Sequence, residues 1–108
     1  DRTAKRSFTH VADIAAGICA VLDAPTLSYE VYNNSSAAWT SIEEVVATLQ
    51  ELRPDLRTTE VPEADIPGRP NQLNVTRLEQ DVGFVAQFDL RSGLRDYLAW
   101  RQETGFTE

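Results

Sequence analysis

Two arginines are the residues of this sequence whose type and setting best suit the binding of an anion. Arg69 lies in the Pro- and Gly-rich stretch Pro67–Pro70, and Arg6 lies near the start of the chain. A guanidinium group is a rigid fork of N–H donors that matches carboxylate and phosphate oxygens, and the prolines restrict the loop that carries Arg69. We therefore predict that Arg6 and Arg69 bind an anionic substrate. The alternatives are a surface or strand-pairing role for Arg6 and, for Arg69, pairing with Asp65 or with a backbone carbonyl.

The other reactive side chains form no comparable pattern. No nucleophile or pair of carboxylates is spaced to use His10 as a base, so we predict a strand histidine that is hydrogen-bonded to a neighbouring loop. Ser35 and Ser36 lack the pattern of a nucleophile elbow. The single cysteine, Cys19, excludes an internal disulfide and, with the single histidine, argues against a protein-built zinc site. The cysteine usage fits a reducing compartment, and we expect a cytoplasmic protein without a metal in this chain.

The composition indicates one acidic domain, spanning residues 1–108. Hydrophobic residues make up 42 % of the chain, which is enough for a single core. The formal net charge is −7, which disfavours nucleic acids and anionic membrane surfaces, since both are bound through positive charge. No apolar run approaches the ~20 residues that span a bilayer. We therefore expect neither nucleic acid nor membrane as a partner.

Hydrophobic periodicity predicts a mixed α/β (α+β) fold with about four helices and three short strands. The first helix is predicted over 12–23, with Asp13 accepting from amides at its start. The second runs from a Thr40/Glu43 or Ser41/Glu44 capping box to Pro54, and the third from a Thr76/Glu79 capping box to Gly83. The fourth runs from Asp89 or Ser92 to Gly105. Strands are predicted over 7–11, 29–33 and 57–61. Three short strands make a thin sheet, so we expect some helix faces to need a partner that covers them.

Five landmarks occur in an order that is typical of one enzyme family. They are residues 6–15, with the pattern Arg-x-aromatic-x-His-Val-x-Asp, Tyr32-Asn33, the helix start 40–45, the Arg-Pro to Gly-Phe region 68–84, and the helix 94–100. Each landmark is weak alone, but their order and spacing cover nearly all of the chain. Together they resemble the extended short-chain dehydrogenases, the NAD-dependent epimerase/dehydratase family.

The resemblance implies the C-terminal, substrate-binding portion of such an enzyme, similar to the C-terminal portion of an NAD(P)-binding Rossmann-type epimerase. The nucleotide-binding half is not in this sequence, because no glycine-rich turn of the family's type follows a strand. The family's Tyr-x-x-x-Lys pair is also missing, since the only lysine is Lys5. We therefore expect no cofactor and no catalytic residue in this chain, and no NAD binding by the chain alone. NAD or NADP is implied for the parent enzyme, an oxidoreductase or isomerase.

The resemblance also implies a substrate class. In the sugar-nucleotide members of the family, arginines at the positions of Arg6 and Arg69 hold the diphosphate of the substrate. Only four residues separate Arg69 from Asn74 here, and Pro70-Asn71 replaces the usual Gly-Asp. This shorter loop resembles that of family members that act on small hydroxy acids or amino acids. A nucleotide sugar and a small carboxylate are thus both open.

Two functions remain open at this point. The first is the substrate-binding portion of an NAD-dependent sugar epimerase/dehydratase or related dehydrogenase. The second is a stand-alone, self-associating interaction module that has kept the fold and lost the enzyme chemistry. The sequence contains no methionine, even at position 1, so we expect either a processed or excised piece or a chain whose start is not included here. Faces once packed on the nucleotide-binding half would be apolar, so we expect that half, or a homo-oligomer, as the partner.

Overall fold

A computed structural model describes residues 2–61 and 72–106 of the chain. Its elements are β1 (Lys5–Arg6), α1 (Val11–Asp23), β2 (Thr40–Ser41), α2 (Ile42–Leu52), a π-helical turn (Leu78–Val82) and α3 (Leu90–Thr104). β1 and β2 form an antiparallel ribbon in which Lys5 lies opposite Ser41 and Arg6 opposite Thr40. The mixed α/β class with four helices is confirmed. The prediction of three strands is wrong, since the described residues form two.

The first helix forms where the alanine-rich periodic sequence predicts it, but its cap is different. His10 has extended backbone angles, and its Nδ1 atom accepts a hydrogen bond of 2.9 Å from the backbone N–H of Ala12. The side chain of Asp13, which was expected to accept from amides at this helix start, is directed to another segment. The helix stops before Pro25, which cannot continue it.

The strands predicted over 7–11 and 57–61 are wrong. Residues 7–10 lead directly from β1 into α1, because the side chain of His10 caps the helix instead of entering a ladder. Residues 57–61 have no regular structure, and Glu60 pairs with Arg2. Both segments are thus fixed by side-chain contacts, which an alternating pattern does not reveal.

The strand predicted over 29–33 is also wrong, and two tyrosines explain why. The backbone N–H of Tyr29 donates to Tyr32 Oη at 3.1 Å, and that hydroxyl donates in turn to the carboxylate of Asp81. The two rings meet edge to face, with centroids 6.0 Å apart. The segment is therefore folded onto its own side chains instead of being extended beside another strand.

Capping boxes begin α2 and α3. Ser41 Oγ accepts from the Glu44 N–H at 3.2 Å while the Glu44 carboxylate accepts from the Ser41 N–H at 2.7 Å, so the Ser41/Glu44 alternative is the correct one. Asp89 and Ser92 form the same reciprocal pair at the start of α3. Gly105 ends α3 in the left-handed conformation, as predicted.

The helix predicted over 76–82 is present as a short helical start followed by the π-helical turn. Its cap is Asn74, whose Oδ1 atom accepts from the Thr76 N–H at 2.9 Å. This bond replaces the predicted Thr76/Glu79 capping box. Gly83 stops the helix with a φ of 79°, a conformation in which a Cβ atom would be strained.

The apolar interior of the described residues is small. Leu78 is the one apolar side chain among them that is almost fully buried, at 2 % exposed, whereas three polar residues are also buried: Asp13, Ser35 and Ser36. The radius of gyration is 16.3 Å, compared with about 13 Å for a compact domain of this length. Polar contacts between segments thus organise the fold, and several apolar faces point outward.

Candidate anion-binding site

β1 places Arg6 at a defined position beside β2. Its backbone lies opposite Thr40, and its guanidinium Nη1 atom donates to the carbonyl of Lys5 at 2.8 Å. This bond uses one of the five N–H groups of the guanidinium. Arg6 is half-buried and its neighbour Lys5 is exposed, so the two adjacent cations differ in their exposure to solvent.

Residues 35–41, the segment that precedes and includes β2, bind the part of the chain that follows Arg6. Ser36 Oγ donates to the carbonyl of Phe8 at 2.7 Å, and Ser7 Oγ donates to the carbonyl of Ala38 at 3.1 Å. The residues that follow Arg6 are therefore bound along this segment by side chains after the two-residue ribbon ends. The segment holds the Arg6 strand in place over a longer distance than the ribbon alone.

Gln72 contacts the same segment from another part of the sequence. Its Nε2 atom donates to the carbonyl of Ala37 at 2.9 Å. Gln72 stands three positions after Arg69 in the sequence, but Arg69 itself lies outside the described residues. The convergence of Arg6 and Arg69 at one site therefore stays a prediction.

A cleft of about 290 Å³ opens next to this segment. Residues 35–38 form one wall, and residues 84–89 contribute to another. The described lining includes two carboxylates, those of Glu79 and Asp89, and no lysine or arginine. The cleft itself therefore suits the uncharged part of a ligand better than an anionic group.

A polar junction joins α1 to the loop that leads into α3. Asp13 is 3 % exposed, and its two carboxylate oxygens accept from the backbone N–H groups of Gln87 (2.9 Å) and Phe88 (3.0 Å). The ring of Phe88 stacks on that of His10, with centroids 3.9 Å apart. His10 Nε2 in turn meets the Asp96 carboxylate of α3 at 2.7 Å. These contacts fix the segment that begins four residues after Arg6.

The opposite side of α1 carries an apolar stripe that faces outward. On the inner side, an added Cβ atom at Gly17 would overlap the side chain of Asn34. On the outer side, Val11 is 76 % and Leu22 77 % exposed. The apolar stripe of α1 consists of Val11, Ala15, Ile18 and Leu22. An amphipathic helix normally buries its apolar face, so the outward-facing stripe of α1 departs from the usual arrangement.

The carboxylate of Asp81 binds the segment that contains Ser28 and Tyr32. Hydrogen bonds from the Tyr32 hydroxyl, and then from the N–H and hydroxyl of Ser28, keep the pKa of Asp81 below its ordinary value of 3.8. Burial, and then the bond to Asp81, raise the pKa of Tyr32 above 10.0. The ionised carboxylate and the neutral phenol are thus the forms that the folded chain favours.

This arrangement predicts an acid-sensitive contribution to stability. A carboxyl group with a lowered folded-state pKa binds fewer protons folded than unfolded, so its contribution is present above pH 3.8 and is lost as pH falls through the folded-state value. Asp81→Asn should therefore flatten the fall in the free energy of unfolding below about pH 4, measured by urea titration at several pH values. Asp23→Asn, at the exposed end of α1, controls for the loss of one charge. Parallel curves for the wild type and Asp81→Asn would contradict the assignment.

Two other kinds of site are not found in the described part of the chain. No three His, Cys, Asp or Glu side chains within residues 2–61 and 72–106 lie close enough to hold a metal ion. None of the helices in those ranges is long and apolar enough to cross a bilayer.

Larger solved structures share this fold over nearly the whole chain. MoeE5, solved in complex with UDP-glucuronic acid and NAD, is 28 % identical, with a TM-score of 0.86 over 96 % of this chain and 35 % of that chain. L-threonine dehydrogenase from Phytophthora infestans is 23 % identical, with a TM-score of 0.86 over 96 % and 35 %. UDP-glucose 4-epimerase from Thermotoga maritima is 19 % identical, with a TM-score of 0.84 over 98 % and 34 %. This chain has the fold of a portion of the NAD-dependent epimerase/dehydratase enzymes.

The epimerase/dehydratase fold confirms the resemblance that the five sequence landmarks predict. The chain spans about a third of the length of these solved structures. At 23 % and 19 % identity the likeness to the second and third shows the fold alone. No family profile and no curated protein sequence matches the chain.

Sequence reasoning placed Arg6 in the candidate site but missed the residues that support it. The link between His10 and Asp96 joins positions 86 residues apart, so no local spacing could reveal it. Asp13 was assigned to the wrong amides, because a carboxylate near a helix start normally accepts from the first turn. Gln72 had one usable signal, its closeness in sequence to Arg69.

Proposed function

We propose that this chain is the C-terminal, substrate-binding portion of an NAD-dependent sugar epimerase, dehydratase or related dehydrogenase, in which Arg6 and Arg69 hold the anionic group of the substrate. One observation carries the proposal: two distant parts of the sequence bind the same backbone segment. β1, with Arg6, pairs with Thr40, and Gln72 donates to Ala37. A guanidinium contributed from each side would present two forks to one dianion.

A nucleotide sugar is the substrate class that we favour. The diphosphate of such a molecule carries the charge that two arginines recognise, and its sugar is uncharged or carries one carboxylate. The cleft beside residues 35–38, whose described lining has no cation, suits an uncharged part of the ligand. MoeE5, which was solved with UDP-glucuronic acid and NAD, supports this class. A small hydroxy acid or amino acid is the alternative, supported by the shared fold of L-threonine dehydrogenase.

The reaction would depend on polypeptide outside this sequence. We infer that a nucleotide-binding part supplies NAD or NADP and the proton-transfer groups, and that residues 1–108 supply substrate contacts. The apolar stripe of α1 supports this division, because its exposed side chains form a face that a neighbouring domain would bury. Each large aliphatic side chain buried there would contribute roughly 1.5–3 kcal/mol.

The same stripe favours a second candidate function, a self-associating module without enzyme chemistry. A second copy of the chain could bury Ile18 and Leu22 as well as another domain could. The two candidates differ in ligand binding, because only a substrate-binding portion needs a guanidinium fork at Arg6. Binding of a nucleotide sugar therefore separates them.

The direct test is titration of the chain with UDP-glucuronic acid, followed by calorimetry. Arg6→Ala should weaken binding roughly 10- to 100-fold, since a hydrogen bond to a charged group contributes about 1.5–3 kcal/mol. Arg6→Lys should lie between, because an ammonium keeps the charge and loses the fork. Arg69→Ala should resemble Arg6→Ala and, in a longer protein that contains this chain, should raise KM.

The matched control is Lys5→Ala, which removes the same charge from the adjacent, exposed position of β1. It should change the affinity by no more than about 2-fold, as expected for a screened surface charge. Equal losses of affinity in Arg6→Ala and Lys5→Ala would show that the positive charge of β1, and not a specific contact of Arg6, causes the effect. Unchanged binding in Arg6→Ala would remove Arg6 from the site.

A further inference from the structure

His10 is bonded through both nitrogens of its ring. Nδ1 accepts from the N–H of Ala12 in the first turn of α1, at 2.9 Å, and Nε2 lies 2.7 Å from Asp96 Oδ2 on α3. The His10 side chain is only 12 % exposed, whereas that of Asp96 is 57 % exposed. The ring therefore links a helix start to a neighbouring helix from a mostly buried position.

The two partners fix which nitrogen carries the proton. An atom that accepts from a backbone N–H has no proton of its own, so the neutral ring must carry its proton on Nε2 and donate it to Asp96. Protonation would add a proton at Nδ1, where it would face the N–H of Ala12. Two donors cannot share that contact, so the charged ring cannot cap α1 in this geometry.

We propose that His10 is a proton-sensitive cap: a proton taken up at Nδ1 releases the Ala12 N–H, opens the first turn of α1 and loosens the junction with residues 84–89. The proposal does not depend on the anion-binding site.

Three contacts carry the change from the ring to the junction. Phe88 stacks on His10 with an angle of 9° between the rings. Asp13, in the same first turn as Ala12, accepts from the N–H groups of Gln87 and Phe88. Movement of that turn would therefore displace the acceptor of both loop amides.

The other titratable groups on the elements that pack against the ring include Asp13, Asp89, Asp96 and Tyr97. Asp96 on α3 meets Nε2, the ring atom that carries a proton in both the neutral and the charged ring. A second cleft, distinct from the one beside residues 35–38, is lined by His10, Asp89 and Tyr97. The carboxylate of Asp89 accepts from the N–H of Ser92, and that of Asp13 on α1 accepts from the loop amides. Protonation thus exchanges a helix cap for an ion pair.

Nuclear magnetic resonance of the 108-residue chain tests the proposal without ambiguity, because His10 is the only histidine. Long-range ¹⁵N correlations at neutral pH should show the proton on Nε2. As the ring titrates, the hydrogen-exchange protection factors of Ala12, Gln87 and Phe88 should fall together by about 5-fold, which corresponds to a lost cap of about 1 kcal/mol.

His10→Asn is the matched variant, since asparagine caps helices well and does not titrate. It should keep the Ala12 protection factor and remove its dependence on pH. A proton on Nδ1 at neutral pH, or constant Ala12 protection through the titration of the wild-type ring, would overturn the proposal. A loss confined to Ala12 would overturn the coupling to residues 84–89. The two wild-type measurements decide the matter even if the variant does not fold.

Discussion

Asp13→Ala is expected to lower the free energy of unfolding by roughly 3–5 kcal/mol. The substitution removes a carboxylate that is 3 % exposed and accepts from the N–H groups of Gln87 and Phe88. A hydrogen bond to a charged group contributes about 1.5–3 kcal/mol, and a buried donor left without a partner costs a further 1–3 kcal/mol. Small domains have only about 5–15 kcal/mol in total, so the variant should lose a large fraction of its stability.

The measurement is urea denaturation followed by circular dichroism, with two comparison variants. Asp23→Ala makes the same change at the exposed end of the same helix and should shift the free energy of unfolding by less than about 0.5 kcal/mol. Asp13→Asn keeps one acceptor oxygen and should lie between the other two. Equal stabilities of Asp13→Ala and Asp23→Ala would show that the junction contributes little to the fold.

The helices of this protein could be predicted from sequence because their signals are local. Apolar residues at three- and four-residue spacing, the Ser41/Glu44 pair, and glycines at positions 83 and 105 each act within one turn of the chain. The structure confirms these boundaries to within a residue or two. The π-helical form of the turn at Leu78–Val82 was not foreseen, since π and α turns share the same pattern, and neither was the cap that His10 provides for α1.

The strands could not be predicted because short pairings and side-chain hydrogen bonds, and not an alternating pattern, decide the conformation of these segments. A ribbon of two residues per strand is too short to show an alternating pattern, and β2 lies where the sequence reads as a helix start. Segments 7–11 and 29–33 alternate in sequence, but they are held in other conformations. The ring of His10 accepts from the Ala12 N–H, and the hydroxyl of Tyr32 accepts from the Tyr29 N–H. Secondary-structure propensity is assigned to single residues, so it predicts neither bond.

Only part of the candidate site could be predicted from the sequence. The family resemblance identified Arg6, and the structure places its strand beside a segment that Gln72 also contacts. The sequence could not show whether the apolar stripe of α1 faces the interior or the solvent. Periodicity shows that a helix has an apolar face, but it does not tell whether the same chain covers that face. A covering partner for the apolar stripe of α1 stays a prediction.

The second large effect is expected at that stripe. Ile18→Gln with Leu22→Gln should leave the stability of the 108-residue chain within about 1 kcal/mol of the wild type, because both side chains are largely exposed. The same double variant should weaken self-association at least 100-fold. Burial of two such side chains in an interface is worth roughly 3–6 kcal/mol, and each 1.4 kcal/mol is a factor of ten.

Sedimentation velocity over a range of concentrations measures this effect, with the wild type expected to form a dimer or a larger species. Leu27→Gln is the matched control: it replaces an exposed leucine, at 46 %, that lies outside α1. A monomeric wild type at high concentration would exclude the stripe as a contact between copies of this chain. An equal loss in Leu27→Gln would mean that general surface hydrophobicity, and not the stripe, causes the association. If only the double variant loses self-association, and its free energy of unfolding is unchanged, Ile18 and Leu22 form the contact between copies.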